Sequence, residues 1–184
     1  DKAEYLVGLM LDGKNIACIT DAGTPGISDP GEVLVQKCYE AGIKVTSLPG
    51  PAACITALTM SGLSTRRFAF EAFLPADKNE RKDVLAELES ETRTMIIYEA
   101  PHRLLKTLKE LSAVLGGERA LTICKELTKR YENSMVTTLD EACEYYEANE
   151  PRGEYLLVIA GKSRDVTKQE EQDKWKSMSE REHV

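Results

Sequence analysis

Histidine is nearly missing from this sequence: His102 and His183 are the only two. A zinc centre therefore has few candidate ligands, and no metal is expected. The five cysteines, Cys18, Cys38, Cys54, Cys124 and Cys143, include no C-x-x-C pair, and four sit in apolar runs. That pattern reads as reduced, buried thiols of a cytoplasmic protein. No apolar stretch is long enough to span a bilayer, so no membrane partner is expected. No glycine loop leads into Gly-Lys-Ser/Thr, which disfavours nucleotide hydrolysis. The G-x-G-x-x-G dinucleotide fingerprint is absent too. Positive charge is also short. With a formal net charge of -7, contact with nucleic acid needs a local basic patch. No signal-peptide pattern is visible, and Asp1 reads as a cut point rather than a natural start.

What is present suits a globular protein. At 42% hydrophobic and 30% charged residues, 184 positions allow one large domain or two small ones. Asp1 to Leu11 reads as a helix stopped at Gly13. Ile16 to Thr20 and Val45 to Leu48 read as buried strands with a helix between them. Asp29 is that helix's expected N-cap, Pro30 its first residue and Glu32 the partner in a capping box. Another helix is expected from about Ala52 to Met60. The composition shifts at Ser64-Thr65-Arg66-Arg67. Beyond it, strands are expected at Phe68 to Leu74, Thr94 to Tyr98, Ala120 to Cys124 and Tyr155 to Ala160. Helices are expected at Lys82 to Glu89, Pro101 to Leu115 and Asp140 to Ala148, with Pro75 to Lys82 as a loop. This alternation predicts the α/β class, with a parallel sheet and right-handed crossovers. The expected parts are a partial amino-terminal α/β domain, 1–64, a carboxy-terminal α/β domain, 65–163, and a polar tail, 164–184, anchored by Trp175. Two parallel strands cannot bury both faces of a sheet. The first part is therefore expected to be truncated, or completed by a partner chain.

The densest chemical signal runs from Asp21 to Glu32, Asp-Ala-Gly-Thr-Pro-Gly-Ile-Ser-Asp-Pro-Gly-Glu. It is an acidic, glycine-rich loop between an apolar run and a helix. Open α/β sheets bind ligands at the carboxyl ends of their strands. Asp21 can serve such a ligand or simply cap turn amides. Gly23, Gly26 and Gly31 permit close approach to the backbone, and free amides near Asp29 suit a carboxylate or phosphate. Pro49-Gly50-Pro51-Ala52-Ala53 is a second strand-to-helix turn, either a rigid connector or the other wall of the same crevice. Glu99-Ala100-Pro101-His102-Arg103 and Lys125-Glu126-Leu127-Thr128-Lys129-Arg130 follow two later strands. Each is either solvated surface or an anion contact.

Taken in order, the two turns, Gly62-Leu63, Phe73-Leu74-Pro75, Tyr98 to Leu104, Glu126 to Lys129 and Gly153-Glu154 resemble one known family. It is the ribosomal RNA small-subunit methyltransferase I family, within the tetrapyrrole methylase superfamily. The resemblance runs from the first helix to about Gly161. It implies a two-domain tetrapyrrole-methylase-like α/β fold whose amino-terminal domain is truncated here, since the family's Pro-x-Gly-Asn-type loop is not in this chain. It implies S-adenosylmethionine as cofactor and 2′-O-methylation of a cytidine ribose in small-subunit ribosomal RNA within the 30S subunit. A homodimer in the cytoplasm is expected. On this reading Asp21, Ala22, Gly23, Thr24, Pro25, Asp29, Pro49, Gly50, Pro51, Ala52, Ala53 and Glu154 hold the cofactor. Glu99 or Glu126 is the expected base, with Lys125 orienting the hydroxyl. Arg66, Arg67, Lys78, Arg81, Arg103, Lys129 and Arg130 are the expected contacts to the RNA backbone.

Two rival readings keep the same residues. A tetrapyrrole methyltransferase has an acidic, planar substrate and also needs Arg and Lys. A catalytically silent fragment would bind or dimerise without reacting.

Overall fold

The computed structural model describes residues 2–163, so the expected polar tail with Trp175 lies outside the described residues. The chain divides into two compact units, Asp1–Thr56 and Ala57–Val184. The composition shift at residue 64 falls later than this division. The reason is that Ser61 and Ser64 accept hydrogen bonds from Thr122 and Thr94, which ties the segment to the second unit.

The first unit holds α1 (Lys2–Leu11) and α2 (Gly31–Glu40). Helix α1 stops where the sequence places its stop: Gly13 has φ +84°, and the amides of Gly13 and Lys14 donate to the carbonyls of Met10 and Leu9. Helix α2 begins at Gly31 with Pro30 in the cap position and no side-chain cap bond, which corrects the expected capping box. Asp29 Oδ1 still accepts the Gly31 amide at 2.8 Å. The two expected strands are also corrected. Residues 14–20 and 43–50 carry no regular secondary structure and belong to no ladder, and Ile19 and Leu48 are 85% and 82% exposed. An apolar run makes a strand only where another strand takes up its backbone hydrogen bonds, and neither run enters a ladder. Helix α3 (Ala53–Met60) runs across the division between the units.

The second unit is a five-stranded sheet with helices. Its elements are β1 (Phe68–Phe73), α4 (Lys78–Glu89), β2 (Thr94–Glu99), α5 (Pro101–Leu115), β3 (Ala120–Lys125), β4 (Asn133–Thr138), α6 (Leu139–Ala148) and β5 (Tyr155–Ile159). The strand order is β1-β2-β5-β3-β4. Only β1 and β2 are parallel; the β2–β5, β5–β3 and β3–β4 pairs are antiparallel. The sheet is therefore mixed, a correction to the parallel sheet expected from strand–helix alternation. The α6 connection returns the chain from edge strand β4 into the middle of the sheet, between β2 and β3.

Helix α5 shows why the sequence folds this way. Pro101 opens it in the first turn, and Leu104, Thr107, Leu108, Leu111 and Leu115 repeat at helical spacing on its buried face. The four leucines join Met95, Ile97, Leu121, Ile123, Leu157 and Ile159 in the main core. Each such leucine contributes roughly 1.5–3 kcal/mol by leaving water. The opposite face of the sheet, with Ile96, Cys124, Leu156 and Val158, is buried as well. Burial on both faces accounts for the uninterrupted apolar runs of β2 and β5. Helix α4 starts a turn earlier than expected because Asp77 caps it, its Oδ1 accepting the amides of Asn79 and Glu80 at 2.9 and 3.1 Å. Among the described residues, no helix is long and apolar enough to cross a membrane.

Candidate functional site

In the first unit the two glycine–proline bends meet. The Thr24 amide donates to the Pro51 carbonyl at 2.9 Å, and Thr24 Oγ1 donates to the same oxygen at 3.0 Å. Small residues are required for this approach. A Cβ on Gly50 would stand 2.9 Å from Thr24 Oγ1, and one on Gly23, at φ +80°, would stand 3.1 Å from the Pro51 carbonyl oxygen. Thr20 Oγ1 braces the first bend by donating to the carbonyls of Ala22 and Gly23 at 3.0 and 3.1 Å. Beside the bends lies a cavity of about 770 Å³. Its walls are segments 14–18 and 43–48, with Pro25, Gly26 and Gly31 at the bend and Leu34 and Cys38 from α2. This volume is in the range of small-molecule sites, roughly 300–1,000 Å³. Of the residues expected to hold a cofactor in this unit, Pro25 lines the cavity; Asp21, Ala22, Gly23, Thr24, Pro49, Gly50, Pro51, Ala52 and Ala53 form the adjoining bends. Sequence reasoning missed Lys14, Asn15, Thr46 and Ser47 in the cavity wall, since no motif marks them.

In the second unit the expected residues gather at the carboxyl ends of β2 and β3. Glu99 pairs with Tyr155 on β5, and Tyr155 pairs with Lys125 on β3. The three share a row and a face, which places Glu99 and Lys125 about 10 Å apart across the buried Tyr155. The Glu99 carboxylate is fully enclosed. Its Oε1 accepts the Ala100 amide at 2.8 Å and Arg103 Nε at 2.9 Å, and its Oε2 accepts Thr107 Oγ1 at 2.6 Å. Three donors in a sealed site anchor the start of α5 and leave no path for a ribose hydroxyl. This geometry corrects the expected role of Glu99 as base.

Arg81 is corrected in the same way. It is 6% exposed, and its guanidinium donates to Glu110 Oε2, Thr107 Oγ1 and the Pro75 carbonyl. Such a cation is a structural tie between α4 and α5 and is not available to an RNA backbone. Arg103 is half committed: Nε is bound to Glu99 and its plane lies 5.9 Å from the Phe73 ring centre. Arg66, Arg67, Lys78 and Arg130 are exposed, Arg130 resting 5.6 Å above the Tyr131 ring.

Glu126, Lys129 and Glu154 do come together. Glu126 Oε1 accepts the Glu154 amide at 2.8 Å, and Lys129 Nζ bridges Glu126 Oε1 and Glu154 Oε2 at 3.3 and 2.7 Å. The Glu154 amide, and then Lys129, hold the Glu126 carboxyl below its ordinary range. The turn is strained. Glu126 and Thr128 have φ of 50° and 62°, unusual for residues with side chains and most so for a β-branched one. Gly153 opposite it has φ +86°, which favours glycine, and a Cβ there would stand 2.7 Å from the Glu126 side chain and push it aside. The ends of β1 and β3 thus offer an exposed aromatic, Phe73, a carboxylate acceptor and a bridging ammonium.

The Tetrapyrrole (Corrin/Porphyrin) Methylases family model matches residues 1–143. The chain is 51% identical over 160 residues to the ribosomal RNA small subunit methyltransferase I of Synechocystis sp. and 48% identical over 164 residues to that of Haemophilus influenzae. These alignments cover 87% and 88% of the chain but 57% and 58% of the two relatives, so the chain spans little more than half their length. Among solved structures, the methyltransferase CobJ matches with a TM-score of 0.65 at 16% identity, covering 88% of this chain and 70% of that one. A uroporphyrin-III C-methyltransferase from Thermus thermophilus, complexed with S-adenosyl homocysteine, matches at 0.58 and 19%, covering 85% and 72%. At these identities the structural likeness bears on fold alone.

Proposed function

Because this chain belongs to the tetrapyrrole (corrin/porphyrin) methylase family, we propose that it is a methyl-transferring portion of an S-adenosylmethionine-dependent ribosomal RNA methyltransferase. The observation that carries the reading is the clasp between the Asp21–Pro30 and Pro49–Ala52 bends, beside a cavity of small-molecule size. The bends supply glycine-lined backbone and an exposed Asp21 carboxylate, a donor and acceptor set suited to a methionine end and a nucleoside. When bound, the cofactor supplies an electrophilic methyl group.

The substrate on this reading is a cytidine 2′-hydroxyl of small-subunit ribosomal RNA in the 30S subunit, modified in the cytoplasm by a homodimer. The names of the relatives support the RNA class. The Asp21–Pro25 and Pro49–Ala53 bends would hold the cofactor, which would supply the methyl group, and a carboxylate would align the ribose hydroxyl as its proton passes to water. With Glu99 enclosed, Glu126 takes that part. Its depressed pKa makes it a hydrogen-bond acceptor that aligns the hydroxyl rather than a strong base, and Lys125 orients the same group. Alignment of this sort can supply about 7–11 kcal/mol of the barrier, with the acceptor adding roughly 10²–10⁴-fold. Arg103, Lys129 and Arg130 at this end are proposed contacts to the RNA backbone, as are exposed Lys78, Arg66 and Arg67.

Calorimetric titration of the folded chain with S-adenosylmethionine tests the cofactor; a flat titration of folded protein rejects it. Tritiated methyl incorporation into undermethylated small subunits tests the substrate, with a porphyrinogen as competitor class. Glu126→Gln is expected to leave cofactor heat intact and lower incorporation by roughly 10²-fold or more. Equal incorporation by both proteins removes Glu126 from the reaction.

A further inference from the structure

The second unit has a recess at the end of the sheet away from Glu126 and Glu154. It holds about 430 Å³ and is lined by Ser64, Arg66, Arg67, Thr92, Arg93 and Thr94. Its walls are fixed. Thr94 Oγ1 donates to the Ser64 carbonyl at 2.7 Å, and the Thr94 amide donates to the Arg67 carbonyl at 3.3 Å. The strap carrying Arg66 and Arg67 is thus pinned to the first residue of β2. The floor is fixed as well. Arg93 donates from its amide and Nε to Glu91 Oε1 at 2.7 and 3.0 Å, and from Nη2 to Oε2. The Lys162 amide donates to the Glu91 carbonyl at 2.7 Å, and a Cβ on Gly161 would collide with the Thr92 backbone.

The charges decide what the recess attracts. Arg93 answers the Glu91 carboxylate. Burial, and then the Glu91 carboxylate, raise the nearby Glu71 carboxyl above its ordinary range. Arg66 and Arg67 are exposed and form no ion pair among the described residues. Two arginines outside any ion pair among the described residues line this recess together with Ser64 and Thr92, in a protein of net charge -7. Planar guanidinium forks of this kind match a phosphate group.

We propose that this recess seats a backbone phosphate of the RNA, at a distance from the reacting end. The proposal rests on the RNA reading above and adds a second point of attachment. The two ends lie one strand apart, about 17–20 Å. A single RNA strand reaches both only when extended along the sheet.

The test is anisotropy of a labelled single-stranded RNA, longer than that separation, titrated with the chain over a series of salt concentrations. Arg66→Ser with Arg67→Ser is compared with Lys109→Ser, an equal kind of charge loss on α5 where Lys109 pairs with Glu147. The double variant is expected to flatten the slope of log affinity against log salt by about 1–2, with Lys109→Ser unchanged and both melting at the parent temperature. Arg66→Lys with Arg67→Lys is expected to restore the slope, which excludes a folding defect as the cause. Parallel slopes in parent and double variant, an equal change in Lys109→Ser, or no RNA binding by the parent each overturn the proposal. Cofactor calorimetry on the same proteins keeps the outcomes distinct: retained heat with an unchanged slope removes the recess and spares the methyltransferase reading.

Discussion

At the scale of single residues, the deciding fact is which charged groups are already spent. Glu99, Arg103, Thr107, Arg81 and Glu110 form one connected polar chain through the helix layer. Thr107, itself fully buried, donates to Glu99 and accepts from Arg81. Thr107→Val removes the shared hydroxyl and strands a buried donor and a buried acceptor. Denaturant unfolding should then show a loss of roughly 1–3 kcal/mol. The thiols sort in a similar way. Burial pushes Cys124 up to about 11, whereas Cys18 is exposed. Alkylation of the native protein near neutral pH should therefore label Cys18 and spare Cys124, as peptide mapping would detect.

At the scale of elements, stop and start chemistry was the most readable part of the sequence. Pro101 marked α5 to the residue, and Gly13 marked the end of α1. The strands β2, β3 and β5 were legible as apolar runs, but such runs carry no sign of direction, so the antiparallel pairing of β5 was hidden. Strand β4 was invisible because Asn133–Thr138 is a polar edge with little to bury. Segments 14–20 and 43–50 were misread for the converse reason: strand-like composition that enters no ladder. The buried role of Arg81 was likewise unreadable, since its partners lie 26 and 29 residues away. Thr138 went unnoticed as a cap, yet its hydroxyl accepts the Glu141 amide while Glu141 returns a bond to the Thr138 amide. Thr138→Ala should cost about 1 kcal/mol in thermal or denaturant unfolding.

At the scale of the whole molecule, order should be uneven. Amides of β2, β5 and β3 sit in central ladders within buried surroundings, whereas segments 14–20 and 43–50 have no ladder. Native-state hydrogen exchange should protect the first set strongly and the second weakly; uniform protection would contradict this description. Acid sensitivity has a clear origin in Glu91. The Arg93 guanidinium holds its carboxyl at about 2, below the ordinary 4.5. A depressed carboxyl stabilises the fold fully above its unfolded value and loses that contribution as pH falls. Between about 4.5 and about 2 the parent should therefore lose more stability than Glu91→Gln, as acid titrations of both would show. Finally, both hydrogen bonds of Thr24 end on one oxygen of Pro51. The Thr24 side-chain hydroxyl can rotate away while the backbone amide still holds. Parting of these two loops should then run in two steps, through a form tethered by the amide alone.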